Sequence, residues 1–152
     1  MKPWLLFKPA FNVVGIPLNG RDLSRQFDAL WDQLAARYAE IPHVDPDQGY
    51  GLHSLTGHEQ LYLAALAVRE VDVIPEGMTA RQIPPNTYAV FVQHGLSTHL
   101  PQTVERVFSV WLPGSSYQLA GDFYFEYYDD RFQPGSSESV ISVYVPVKQK
   151  HD

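Results

Sequence analysis

One carboxylate sits among five aromatic rings in Phe123-Tyr124-Phe125-Glu126-Tyr127-Tyr128. The run predicts a β-strand, whose side chains alternate between faces, so Phe123, Phe125 and Tyr127 share one face and Tyr124, Glu126 and Tyr128 the other. The first set has the composition of a core. The second sets a phenol on each side of an acid, which is a composition able to hold an organic cation through ring quadrupoles and a counter-charge. A strand with one solvated face would carry the same residues, with Glu126 in water and Tyr124 and Tyr128 covering the sheet.

Other residue types with chemical potential form weaker patterns. Six histidines invite a search for metal ligands, but His53 and His58 are five apart, as are His94 and His99, and neither pair has the i, i+3 or i, i+4 spacing of ligands on a helix. No metal and no cofactor is expected. No Gly-x-Ser-x-Gly elbow, phosphate-binding loop or dinucleotide fingerprint is present. Gly114-Ser115-Ser116 follows a predicted helix and reads as its stop, and Asp129-Asp130-Arg131 reads as a solvated turn.

Composition narrows the partners. With 152 residues, 45% of them hydrophobic and 18% charged, the chain is sized for one domain spanning 1–152 and is too apolar for global disorder. A net charge of -6 argues against a phosphate-binding surface for nucleic acid and leans toward neutral or cationic partners. The absence of cysteine excludes disulfides, thiolate metal sites and a cysteine nucleophile, and fits a reducing cytoplasm. The opening apolar stretch is interrupted at Lys8 and Pro9, short of a signal peptide or a membrane span, so a cytoplasmic chain with no membrane partner is expected.

The elements that must position Glu126 come in two similar sets. The first is a strand over 11–18, a helix over 23–39 with the stripe Phe27, Leu30, Trp31, Leu34 and Tyr38, and strands over 50–55 and 60–71. The second is a strand over 87–94, a helix from an N-cap at Ser97 or Thr98 to Leu112 with the stripe Val104, Val107, Phe108, Trp111 and Leu112, and strands over 122–128 and 140–147. A turn-rich connection, with Ile74-Pro75-Glu76-Gly77 and Ile83-Pro84-Pro85-Asn86, joins them. Adding 77 to a residue number lays helix stripe on helix stripe, Phe11 on Tyr88, and Ala64, Leu66 and Val68 on Ile141, Val143 and Val145. The expectation is an α+β fold of duplicated β-α-β-β units, halves at about 10–73 and 86–148, related by a pseudo-two-fold axis, with mainly antiparallel sheets, two main helices and a ligand cleft at the seam.

Parity within strands assigns residues to that cleft. Ile141, Val143, Val145 and Val147 are aliphatic and should face a helix, which leaves Ser142 and Tyr144 on the opposite face. The expectation sets Tyr144 there beside Tyr124, Glu126 and Tyr128, with Ala65 and Ala67 opposite. Laying Tyr50 and Leu52 under Phe123 and Phe125 makes His53 the counterpart of Glu126 across the seam, against the alternative of a surface or loop histidine. Trp111 is either a core residue or the floor of the cleft.

Tyr88-Ala89-Val90-Phe91 with His94-Gly95, then Trp111-Leu112-Pro113 with Ser116-Tyr117, Asp122-Phe123 with Glu126 and Tyr128, and Val143-Tyr144-Val145-Pro146-Val147 follow one another in an order that resembles the GyrI-like domain. That family is the effector-binding domain of AraC- and MerR-type multidrug regulators and also occurs freestanding, in some cases encoded by integron cassettes. The resemblance covers nearly the whole chain and implies a cleft in which aromatic side chains and a buried glutamate bind lipophilic cations or other small molecules. The family's glutamate falls on Glu126 and its C-terminal strand tyrosine on Tyr144; Ser142 stands where many relatives carry an acid. No helix-turn-helix segment is evident, so the chain is expected to be the sensor module, with no direct contact to nucleic acid.

The expected function is binding of lipophilic cationic or aromatic compounds by Glu126, Tyr124, Tyr128, Tyr144, Trp111 and His53, with micromolar affinity and broad selectivity. Two other readings follow from the resemblance. One is a hydrolase of electrophilic small molecules, with Glu126 activating water and Tyr144 assisting. The other is a protein-binding module acting on gyrase or on a separate regulator.

Overall fold

Glu126 is held by an antiparallel sheet that nearly all the remaining elements serve. The structure, a computed structural model, describes residues 2–20, 26–56, 60–95, 99–129 and 137–151. Its strands are β1 (Trp4–Lys8), β2 (Phe11–Gly20), β3 (Val44–Ser54), β4 (Gln60–Val68), β5 (Thr79–Ile83), β6 (Asn86–His94), β7 (Tyr117–Leu119), β8 (Phe123–Tyr128) and β9 (Val140–Gln149). Helix α1 (Phe27–Ala36) follows β2, and α2 (Leu100–Arg106) follows β6 and runs on through a π-helical turn, Val107–Trp111, and a last turn, Leu112–Gly114.

Strand order is β1-β6-β9-β8-β3-β4-β2-β5, with β7 paired to β9. Read from the central β8–β3 pair outward, the order is β8, β9, β6 on one side and β3, β4, β2 on the other, so β2-α1-β3-β4 and β6-α2-β8-β9 occupy equivalent places. This is the expected duplication, and the offset of 77 keeps its meaning in three dimensions. Ala64 and Val68 pack under α1 with Leu30 and Leu34, and Ile141, Val143 and Val145 pack under α2 with Leu100 and Val107.

The chain's short connections curl the sheet. β5 and β6 are separated by two residues, yet they lie six strand spacings apart, about 29 Å in a flat sheet at about 4.8 Å each. Two residues span at most about 11 Å, so the ends of the sheet must approach one another. The inner face so formed is filled by aromatic packing: Phe125 meets Phe11 at 5.8 Å, Tyr50 at 5.3 Å and Tyr88 at 5.2 Å between ring centroids. The two helices cover the other face.

The elements differ from expectation chiefly at edges. β5 lies inside the stretch read as connection, because a short edge strand with one buried residue, Ile83, shows no alternation of apolar side chains. β1 is likewise an edge strand, with Trp4 and Phe7 exposed. β3 begins at Val44, ahead of the expected Tyr50, by way of a register shift between Val44 and Gly49. The proposed N-cap at Ser97 or Thr98, the start of the first helix at 23–25, His58 and the pair Asp130-Arg131 lie outside the described residues. No helix among the described residues is long and apolar enough to cross a membrane.

Candidate functional site

The β3–β8 pairing builds the site. Gly51 lies directly opposite Glu126, His53 opposite Tyr124 and Gly49 opposite Tyr128. Directly paired residues of an antiparallel sheet share a face, so a histidine, two glycines, two phenols and the acid form one patch between the helices. β4 adds Tyr62, which pairs with His53. From above, α1 lowers Phe27 and Trp31, and the π-helical turn of α2 lowers Phe108.

Glu126 is 4% exposed and His53 7%. Both carboxyl oxygens are engaged: the Tyr128 hydroxyl donates to Oε2 at 2.7 Å, and His53 Nε2 lies 2.5 Å from Oε1. An unpaired buried carboxylate costs several kcal/mol, and these two charge-assisted hydrogen bonds offset that cost. The His53 ring stacks on Tyr124 at 4.4 Å with 4° between planes and meets the edge of Tyr62 at 4.8 Å. Tyr62 in turn stacks on Phe27 at 4.1 Å, and its oxygen accepts from Trp31 Nε1 at 2.9 Å. Gly51 leaves the carboxylate its space: a β-carbon there would stand 2.4 Å from the Tyr62 hydroxyl and 2.7 Å from Glu126 Oε2.

Burial, and after it the charge of Glu126, holds the phenols of Tyr128, Tyr62 and Tyr124 well above the ordinary tyrosine range. All three keep their protons at neutral pH, so Glu126 is faced by hydroxyl groups and ring faces and not by further negative charge. Beside the patch, a cavity of about 330 Å³ is lined by Tyr38, Asp45, Gln48, Gly49, Leu66, Tyr128 and Asp129. Tyr128 both lines that cavity and bonds Glu126.

The structure brings His53, Tyr124 and Tyr128 to Glu126 and leaves two of the expected residues elsewhere. Tyr144 is on the other face: it pairs with Phe125, stacks on it at 4.8 Å and belongs to the inner aromatic core. The reason is register. Glu126 pairs with Val143, so the aliphatic residues of β9, not Ser142 and Tyr144, share its face. The suggested catalytic pair of Glu126 and Tyr144 is therefore split by the sheet, and Ala65 and Ala67 also line the inner core. Trp111 packs against Phe91 at 5.1 Å and Tyr117 at 6.2 Å. Trp31, Tyr62, Phe27 and Phe108 were not singled out from the sequence. The offset of 77 carries a usable signal for two of them, because it pairs Trp31 with Phe108, the residues that reach Tyr128 and Tyr124 from the two helices. Among the described residues no three His, Asp or Glu side chains gather in a way that could hold a metal ion.

A duplicated β-α-β-β frame with an acid in an aromatic seam between its helices is matched by a family of small-molecule-binding domains. The chain belongs to the GyrI-like small molecule binding domain family, which it matches over residues 1–148. It is 31% identical over 143 residues to the transcriptional regulator BrlR of Pseudomonas aeruginosa, an alignment covering 92% of this chain and 53% of that protein, so the chain spans about half the length of its curated relative. Two solved structures share the fold: SAV2435 bound to tetraphenylphosphonium (TM-score 0.79, 18% identity, 97% of this chain and 94% of that one) and the EcmrR C-terminal domain (TM-score 0.80, 14% identity, 98% of each).

Proposed function

We propose that this chain is a receptor for lipophilic, aromatic cations, which it holds between its two helices against Glu126. The observation that carries the reading is a carboxylate 4% exposed among His53, Tyr62, Tyr124 and Tyr128. Water is excluded from such a site, so a positive charge brought to it interacts in a low dielectric, and aromatic substituents find aromatic partners. The structure of SAV2435 bound to tetraphenylphosphonium supports a ligand of this chemistry on this fold. The cavity beside Tyr128, with Asp45 and Asp129 on its wall, offers a cation an acidic approach.

Covering about 300 Å² of apolar ligand surface contributes about 7 kcal/mol at about 25 cal/mol per Å², and each cation–ring contact about 0.5–2 kcal/mol. An association cost of about 4 kcal/mol or more, together with opening the site, brings the expected Kd to the micromolar range. Stacking and one charge discriminate weakly by shape, so selectivity is broad. The likeness to part of BrlR supports a sensing role, with any DNA-binding function carried by other residues or another chain in the cytoplasm. Calorimetric titration of tetraphenylphosphonium into wild type and Glu126→Gln tests the reading. The variant is expected to bind at least tenfold more weakly, about 1.4 kcal/mol, and equal affinities would remove the acid from the account.

A further inference from the structure

His53 has the surroundings of a ligand. One face of its ring lies flat on Tyr124 at 4.4 Å, the edge of Tyr62 meets it at 4.8 Å, Phe27 stands at 6.1 Å, and Nε2 reaches Glu126 Oε1 at 2.5 Å. A stacked ring, two further aromatic rings and one carboxylate are parts of a cage for a nitrogen cation, and in this chain a side chain of the protein fills the cage.

We propose that His53 is a tethered occupant of the site: its imidazole holds the cage and the Glu126 oxygen in the place of a ligand's cationic group, and a ligand enters by displacing it. The proposal rests on the cation reading of Glu126 and adds how access to that acid is controlled.

Two features of the geometry support displacement over a static core pair. The first is chemical equivalence. The imidazole gives Oε1 a hydrogen-bond partner and a lipophilic cation would give it a counter-charge, so the acid is compensated in either state, and the Tyr128 hydroxyl stays on Oε2. The second is position. His53 lies on β3 one residue before the end of the strand at Ser54, with Leu55 and Thr56 exposed just beyond, so its side chain has a route toward solvent that a mid-strand residue lacks. A tethered group competes at a high local concentration, so only ligands that add ring contacts on Trp31, Phe108 and Tyr128 to their charge outcompete it. Small hydrophilic cations are excluded. The selectivity for bulky aromatic cations then comes from the competitor and not from the shape of the pocket.

The test uses His53→Ala, with His53→Asn as a second variant that keeps a polar group should the first fail to fold, and circular dichroism to establish folding. Two probes are titrated at one pH against the full chain: tetraphenylphosphonium by calorimetry, and tetramethylammonium, a small cation without rings, by ligand-observed NMR with tert-butanol as the neutral control of similar shape. Emptying the cage is expected to tighten tetraphenylphosphonium at least fivefold and to create uptake of tetramethylammonium that wild type lacks and tert-butanol does not share. A folded variant that takes up no tetramethylammonium overturns the proposal. So does a variant that binds tetraphenylphosphonium no tighter than a wild type which binds it. Should neither protein bind tetraphenylphosphonium, the cation receptor reading fails on its own account, and the tetramethylammonium arm still decides whether His53 fills a cation cage.

Discussion

Gly51→Ala gives the sharpest test of how tightly the site is built. The added methyl group would stand 2.4 Å from the Tyr62 hydroxyl and 2.7 Å from Glu126 Oε2, both well inside contact distance. Neither atom is at the end of a free side chain, because Tyr62 is stacked on Phe27 and bonded to Trp31, and Glu126 is held by His53 and Tyr128. Overpacking of this kind costs about 1–3 kcal/mol, and a weakened hydrogen bond to the carboxylate adds about 1 kcal/mol, so a loss of about 2–4 kcal/mol is expected. Urea denaturation reads it as a lower midpoint at unchanged m-value, and tetraphenylphosphonium should bind at least fivefold more weakly as the carboxylate is pushed from its seat. Combining the change with Tyr62→Phe removes the oxygen at 2.4 Å and should recover about 1 kcal/mol or more relative to additivity. Gly114→Ala is the control, since nothing lies within 4 Å of a β-carbon there. Gly15→Ala marks the opposite extreme: its β-carbon would meet the Ala64 carbonyl oxygen at 2.0 Å, a backbone atom of the paired strand. A Gly51→Ala protein within about 0.5 kcal/mol of wild type, or a double variant with no recovery, would refute the account of the site as closely packed around Glu126.

High pH should act through the buried phenols. Their folded pKa values are raised, so the contribution is fully present below the unfolded value near 10 and is lost above it, when the unfolded chain ionises first; each phenol then removes up to about 1.4 kcal/mol per pH unit. Absorbance at 295 nm should show these tyrosines titrating together with loss of the circular dichroism signal, and complete titration near pH 10 with the fold intact would contradict the burial argument. Tyr144→Phe should leave tetraphenylphosphonium affinity within about twofold of wild type, because the residue is on the inner face; a larger change by calorimetry would place the ligand elsewhere. Tyr128→Phe removes the donor to Oε2 and should cost about 1.5–3 kcal/mol in thermal or urea unfolding.

What the sequence made legible was whatever depends on local period. The alternation in 123–128 separates Phe123 and Phe125 from Glu126, and the helical stripes find Leu30, Leu34 and Val107 in the core, because both patterns are set within a few residues. Register is a different kind of information. Whether Val143 or Tyr144 stands beside Glu126 is decided by how β8 slides along β9, and a slip of one residue exchanges the faces; the sequence of each strand alone is compatible with both. The register that buries Ile141, Val143 and Val145 under α2 also carries Tyr124 and Glu126 there. Edge strands failed for a related reason. β1 and β5 are set by backbone pairing to β6 and β2, while their side chains remain largely accessible and carry no period to read.

The same argument explains why the helix residues of the site were overlooked although their elements were found. A stripe of Phe27, Leu30, Trp31 and Leu34 is one apolar face as far as periodicity can tell, yet Leu30 and Leu34 fill the core while Phe27 and Trp31, each only partly buried, reach Tyr62 and Tyr128. The distinction arises because an α-helix presents an arc wider than the row of side chains that can interdigitate with one sheet, and the residues at the margin of the arc face the seam. In the second half the margin is occupied by Phe108, on the π-helical turn, which turns its ring to Tyr124. Duplication therefore does more than repeat a fold. Each copy supplies marginal aromatic side chains, Phe27 and Trp31 from the first and Phe108 from the second, to a place neither helix covers, and an acid put there, on the strand next to the symmetry axis, is enclosed by both halves at once. A single copy would leave Glu126 in water, where its charge is screened and worth little to a ligand; the seam is what gives the carboxylate its low-dielectric surroundings, and with them its value as a counter-charge.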